Sequence, residues 1–299
     1  MRDRPIHDDP ELPKTEFSLG AYAAVVDEAM EDLERSEVIR RMCRRDHTVW
    51  NDDPTEITDR LGWLTVTDLM REHLADLGGF ADQLRVAGYK HVVLLGMGGS
   101  SLGPEVLSQT FGSVTGFPKL IMLDSTVPAA VTAVTQAIEP TSTLFLVSSK
   151  SGSTIEPNVL FAHYWDLAEQ ALDGSPVGDN FAAVTDPGSS LEQLGIARGF
   201  RRIFLNPSDI GGRFSVLSYF GLVPAALMGL PIDALLVRAD QMRAACGSSV
   251  QLADNPGAGL GVAMAAMARR GKDKLTLVTS PAIASFGLWA EQLLAESTG

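Results

Sequence analysis

The stretch His91-Val92-Val93-Leu94-Leu95-Gly96-Met97-Gly98-Gly99-Ser100-Ser101-Leu102-Gly103 sets a short apolar run directly against a glycine-rich turn. A continuous run of this length suits a strand buried on both faces, and the glycines suit a tight turn into a helix. The pattern recurs downstream. Apolar runs at 119–123, 143–147, 181–184 and 202–205 alternate with helical patterns near 103–111, 128–137, 155–171 and 189–198, and the uncharged stretch 214–232 supplies a fifth helix. Five β–α repeats predict an α/β fold, a three-layer αβα sandwich around a five-stranded parallel sheet. Ligands of such sheets bind beyond the carboxyl ends of the strands, so the loops after Leu95, Val147 and Leu205 are the ones to inspect.

Working outward, residues 1–88 read as an N-terminal helical segment. It has a Pro- and Asp-rich start, a helical pattern over 19–45 and a turn signal at Asn51-Asp52-Asp53-Pro54. Further helix is expected over 67–87, broken at Gly78-Gly79. The α/β repeats occupy 89–230. From 231 a second domain of similar type is expected to begin, with helices at 233–246 and 257–270 and a strand at 274–278. Ser280 then reads as an N-cap, with Pro281 at the first position of a helix through about Ala295. One strand is not a sheet, so this second domain reads as incomplete and the chain as C-terminally truncated.

Of the 299 residues, 45% are hydrophobic and 20% charged, an ordinary balance for a soluble globular protein. The formal net charge of -13 argues against a nucleic-acid partner and means that an anionic ligand must be held by a local site against the overall field. Cys43 and Cys246 lie far apart without metal-like spacing, which fits a reducing cytoplasm. His7, His47, His73, His91 and His163 form no ligand-like pair, so no metal site is expected. The first thirty residues hold no apolar core of a signal peptide. The uncharged stretch 214–232 contains Pro224, Pro231 and Tyr219 and reads as a buried helix rather than a membrane span.

Three loops carry the chemistry. In Gly96–Gly103 the glycines let the backbone approach an anion, and the helix that follows offers free N–H groups. Alone, this loop also resembles a dinucleotide fingerprint with Ser101 in place of the third glycine, and Asp124 ends the next strand where a ribose-binding acid would lie. Ser148-Ser149-Lys150-Ser151-Gly152-Ser153-Thr154 gathers hydroxyls and a lysine at a strand-to-helix junction. Hydroxyls, a cation and helix N-terminal amides make a receptor for a compact phosphate dianion, although a polar connection with a hydroxyl cap reads the same way. Asn206-Pro207-Ser208-Asp209-Ile210-Gly211-Gly212-Arg213 again precedes a long helix. Its paired glycines beside an arginine suit either backbone approach to a ligand or a surface turn.

Together these loops resemble the phosphoglucose isomerase family, within the wider group of sugar-isomerase domains. The family's Gly-x-Gly-Gly-Ser-x-Leu-Gly loop is matched from Gly96 to Gly103, and its Ser-Lys-[Ser/Thr]-x-[Ser/Thr]-Thr-x-Glu loop from Ser149 to Glu156. Its Gly-Gly-Arg-[Phe/Tyr]-Ser segment is matched from Gly211 to Ser215. A fourth motif, Gln-x-x-x-Glu-Ser-x-Gly, is matched by Gln292, Glu296, Ser297 and Gly299. Residues 50–54 and 60–64 are similar to the isomerase part of bifunctional transaldolase–isomerase fusions.

The resemblance implies interconversion of glucose 6-phosphate and fructose 6-phosphate, a step of glycolysis and gluconeogenesis, without cofactor or metal, by a protein that is a homodimer when full length. It implies that Ser100, Ser149, Ser151 and Thr154 hold the sugar phosphate, with Gly98, Gly99 and Gly212 giving close backbone approach and Lys150 lining the pocket. Glu296 matches the family's catalytic base, Gln292 lies one helical turn before it, and Arg213 stands near the carbon that loses its proton. The base needs a pKa raised toward the working pH, and the apolar stretch 286–294 before Glu296 suggests the partial burial that would do this. The family's ring-opening histidine and C-terminal lysine fall beyond the equivalent of Gly299, and neither His91 nor His163 takes that role. Residues 1–299 alone are therefore expected to be inactive. Two other readings compete: a non-catalytic sugar-phosphate binding module, which would need no base, and a nicotinamide-dependent oxidoreductase, which would bind nucleotide instead.

Overall fold

A computed structural model describes residues 15–299. In chain order its main elements are α1 (Ala23–Arg35), α2 (Val38–Cys43), α3 (Val66–Arg71), α4 (Leu74–Val86), β1 (His91–Gly96), α5 (Leu102–Phe111), β2 (Lys119–Leu123), α6 (Pro128–Ala137) and β3 (Thr143–Ser148). There follow α7 (Ile155–Leu172), β4 (Phe181–Thr185), α8 (Ser190–Ala197), β5 (Arg202–Leu205), α9 (Tyr219–Leu227), α10 (Ile232–Ala245), α11 (Pro256–Ala268) and α12 (Phe286–Thr298). The chain forms two compact units. One runs through Leu64 and resumes over Asp233–Val278; the other joins Thr65–Ile232 to Thr279–Gly299. These units do not follow the chain-order segments 1–88, 89–230 and 231–299.

The larger unit is the expected α/β sandwich. Its five strands are all parallel, in the order β2-β1-β3-β4-β5. Alternate residues face opposite layers, as the period of a strand requires. Val93, Leu95, Phe145, Val147, Phe181 and Ala183 turn to one side, where Leu160, Phe161, Tyr164, Trp165 and Ala168 of α7 close the core. Phe181 lies at its centre, with ring centroids 5.0–5.6 Å from Phe145, Phe161, Trp165 and Phe200. On the other side α4 and α9 pack together, and Phe204 of β5 meets Phe80 and Tyr219 at 5.3 and 5.6 Å. The uncharged stretch 214–232 becomes a 3-10 turn over Gly212–Leu217 and then α9, every residue of which is buried. Among the described residues no helix is long and apolar enough to cross a membrane.

In the smaller unit α1 packs on α11. Val26, Val262, Ala263 and Ala266 form its buried centre, flanked by Leu19, Val25, Ala29, Met30 and Leu33. Asn255 starts α11 by accepting a hydrogen bond from the Ala258 N–H at 2.9 Å, with Pro256 at the first helical position.

Four local expectations change. The helical pattern over 19–45 is two helices, because Glu37 adopts a left-handed conformation at φ +50° between them. No break occurs at Gly78-Gly79: α4 runs through both, anchored by buried Leu77, Phe80, Ala81 and Leu84. No strand forms at 274–278, where the chain has no regular secondary structure, and Leu275, Leu277 and Val278 are 49%, 44% and 93% exposed. A strand without a neighbour leaves its ladder groups unpaired, so an apolar run alone does not make one. Pro281 likewise opens only a 3-10 turn, Pro281–Ile283, and the Ser280 side chain makes no capping bond.

Candidate functional site

The strand order reverses direction between β1 and β3, and at that switch point the loops from adjacent strands lead to opposite faces of the sheet, leaving a crevice. The loop after β1 lies on one side of it. Gly98 holds φ +54°, a left-handed turn that glycine takes without strain, and Gly98–Ser100 form a 3-10 turn. The Ser148 hydroxyl, at the end of β3, donates to the Ser100 carbonyl at 3.4 Å. Gly99 sits against the third loop: a Cβ there would lie 2.3 Å from the Gly212 carbonyl oxygen. The Ser215 hydroxyl reaches the carbonyls of both Gly212 and Gly99, at 2.6 and 3.2 Å.

The hydroxyl-rich loop occupies the other side of the crevice. Thr154 stands at the N-cap of α7, yet its side chain makes no capping bond and accepts instead from the Ser149 hydroxyl at 3.2 Å. The first-turn N–H groups of α7 thus keep their capacity for an outside acceptor. Ser149 is 3% exposed, and its oxygen also receives the Gly152 N–H at 3.2 Å. Ser151 and Ser153 are exposed, with hydroxyls 2.9 Å apart. Lys150 makes its side-chain contacts with other loops. Its ammonium pairs with the Asp186 carboxylate and donates to the Ser208 carbonyl at 2.9 Å.

Helix α12 brings the fourth motif to the first and third. The Gln292 Nε2 donates to Glu296 Oε1 at 2.9 Å and would lie 2.8 Å from a Cβ on Gly98. Arg213 holds the far end of the helix: its Nε donates to the Ser297 hydroxyl at 2.9 Å, and its Nη1 lies 3.7 Å from Glu296 Oε2. The guanidinium also rests over the Phe214 ring at 4.8 Å. The Glu296 side chain is about half covered, 48% exposed, and that of Arg213 30% exposed. An ion pair this open adds on the order of 0–1 kcal/mol to stability. Its consequence is placement, a carboxylate and a guanidinium held side by side, with Gln292 joining the carboxylate to Gly98.

The structure thus joins Gly98, Gly99, Gly212, Arg213, Gln292 and Glu296 in one contact chain, and Ser149, Ser151 and Thr154 in a second, with Ser100 tied to the end of β3. Sequence reading missed Asp186, and it quoted Ser208 and Ser215 within the third loop without giving either a role. Asp186 had a signal, because it directly follows the apolar run of β4, a strand end not among those singled out. Among the described residues no group of three His, Cys, Asp or Glu side chains is gathered to hold a metal ion.

A family model described as phosphoglucose isomerase matches residues 53–255, which include the three loops; Gln292–Gly299 lies beyond the match. A glucose-6-phosphate isomerase of Rubrobacter xylanophilus is 34% identical over 241 residues, 77% of this chain and 55% of the relative. One from Carboxydothermus hydrogenoformans is 31% identical over 251 residues, 80% of this chain and 53% of the relative. The chain spans about half the length of the curated relatives it matches. Among solved structures, a hypothetical protein from Thermus thermophilus superposes with a TM-score of 0.75 at 26% identity, covering 92% of this chain and 63% of the other. A glucose-6-phosphate isomerase from Chlamydia trachomatis shares the fold at a TM-score of 0.71 and 21% identity, covering 89% and 55%.

Proposed function

The chain belongs to the phosphoglucose isomerase family, and from that premise we propose that it supplies the phosphate-binding domain and catalytic carboxylate of an enzyme interconverting glucose 6-phosphate and fructose 6-phosphate. Aldose–ketose exchange requires a base that takes a proton from C2 and returns it to C1 through an enediol. Glu296 is that base. Arg213 places positive charge beside the enediolate as it forms, and Gln292 orients the carboxylate through its hydrogen bond. The phosphate lies at the hydroxyl loop, met by Ser151, Thr154 and the first-turn amides of α7, with Ser149 shaping the loop from within and Ser100 across the crevice. Grip on this distant group fixes the sugar for reaction. In this reading residues 89–230 are the sugar-isomerase domain, and the segment after 231 contributes the base.

The observation that carries the reading is the meeting of the fourth motif with the first and third, Gln292 over Gly98 and Glu296 beside Arg213. A surface helix end has no reason to pair these particular residues. Glu296→Gln keeps the shape and removes the proton acceptor. In the enzyme kcat should fall by at least roughly 100-fold, together with exchange of the C2 hydrogen with solvent. Turnover equal to the unsubstituted enzyme would end the assignment. The same reading makes the whole protein a cytoplasmic homodimer, supported by the family resemblance and the two free cysteines; a sedimentation mass of one chain would remove the dimer.

A further inference from the structure

Asp186 follows the last residue of β4, at the same edge of the sheet as the site loops. Its carboxylate takes the Lys150 ammonium, in a pair whose side chains are only 15% and 26% exposed. The ammonium also reaches the Ser208 carbonyl beyond β5 at 2.9 Å. Main-chain bonds run beside this clasp. The Asp186 N–H donates to the Lys150 carbonyl at 3.1 Å, and the Thr185 hydroxyl to the same carbonyl at 3.3 Å. Lys150 is therefore held at both ends by the carboxyl termini of β4 and β5.

An ammonium that served chiefly to attract a dianion would gain nothing from a carboxylate against it, because that carboxylate cancels its charge and repels the ligand. The arrangement suits a strut instead. Lys150 sits next to Ser149 and Ser151, so any displacement of its backbone moves both hydroxyls. Gly152, one step further, is pressed on the start of α8, where a Cβ would lie 2.6 Å from the Leu191 nitrogen. The loop is thus pinned to β4 and α8 and presents hydroxyls and helix amides outward. We propose that Asp186 is a positioning residue that acts through Lys150 to hold loop 149–154 in the shape that receives the phosphate. This rests on the reading of that loop as the phosphate site.

The test compares the 299-residue chain with Lys150→Met, Asp186→Asn, the double variant and Asp186→Glu. Affinity for fructose 6-phosphate is measured by calorimetry, and amide hydrogen exchange of residues 149–154 without ligand. Each single variant should bind about tenfold more weakly and exchange faster over 149–154. The double variant should be no worse than either single one, as members of one clasp require, and Asp186→Glu should recover most of the affinity. Unchanged or tighter binding by Asp186→Asn, or additive losses in the double variant, would overturn the proposal and make the Lys150 charge a direct ligand. If the unsubstituted chain binds no fructose 6-phosphate, the phosphate-site reading fails. The strut is then judged by exchange alone, upheld by equal, non-additive loosening of 149–154 and overturned by unchanged rates.

Discussion

A methyl group at Gly99 has no room, since its carbon would fall 2.3 Å from the carbonyl oxygen and 2.4 Å from the carbonyl carbon of Gly212. Both are backbone atoms and cannot swing aside, so Gly99→Ala must push the first and third loops apart. We expect a loss of roughly 1–3 kcal/mol of stability from the overpacking and weakened sugar-phosphate binding. Urea unfolding and a binding titration check this, and a variant matching the unsubstituted chain in both would show that the loops tolerate separation. At this scale sequence reading named Arg213, Gln292 and Glu296 from a motif, but their contacts come from the fold. Asp186 was missed for the same reason. Nothing local to 185–187 tells that its carboxylate will face a lysine far upstream.

At the scale of the element, α4 shows how burial outweighs propensity. Two adjacent glycines each cost a helix about 1 kcal/mol relative to alanine. Full burial of a large aliphatic or aromatic side chain contributes about 1.5–3 kcal/mol, and Leu77, Phe80 and Leu84 of this helix are 1%, 5% and 0% exposed. Packing wins, and the break expected at Gly78-Gly79 does not form. Among the described residues nothing lies within 4 Å of a Cβ on Gly79, so Gly79→Ala should stabilise the protein by about 0.5–1 kcal/mol. A higher urea midpoint at unchanged slope is the expected result; a lower one would mean that the helix needs its glycine. The strands were legible because each is a short apolar run closed by a turn. The run at 274–278 has the same local pattern and stays irregular.

For the molecule as a whole, acid stability depends in part on His91 at the start of the sheet. Its Nδ1 is buried with no hydrogen-bond partner among the described residues, and burial, followed by the charges of Lys119 and Lys90, lowers its pKa from the ordinary 6.5. The unfolded chain therefore takes up this proton first as pH falls. The contribution of neutral His91 is fully present above about pH 6.5 and is lost as pH falls toward the lower folded value. Urea unfolding between pH 8 and 5 should show a steeper acid loss for the unsubstituted chain than for His91→Gln, and parallel curves would exclude His91 as a source. The larger division lies between local and distant causes. The amino-acid sequence alone determined the five strands, the helices between them and the loops that bear glycines and hydroxyls, because alternation, apolar runs and turn residues act over a few positions. Only the tertiary structure decided that Lys150 is clasped by Asp186, that Gln292 closes over Gly98, that Glu296 stands exposed beside Arg213 and that 274–278 forms no strand. Each of these depends on a partner distant in the chain, or on the lack of one, since charge pairs, close backbone contacts and strand ladders exist only once the fold has brought both halves together.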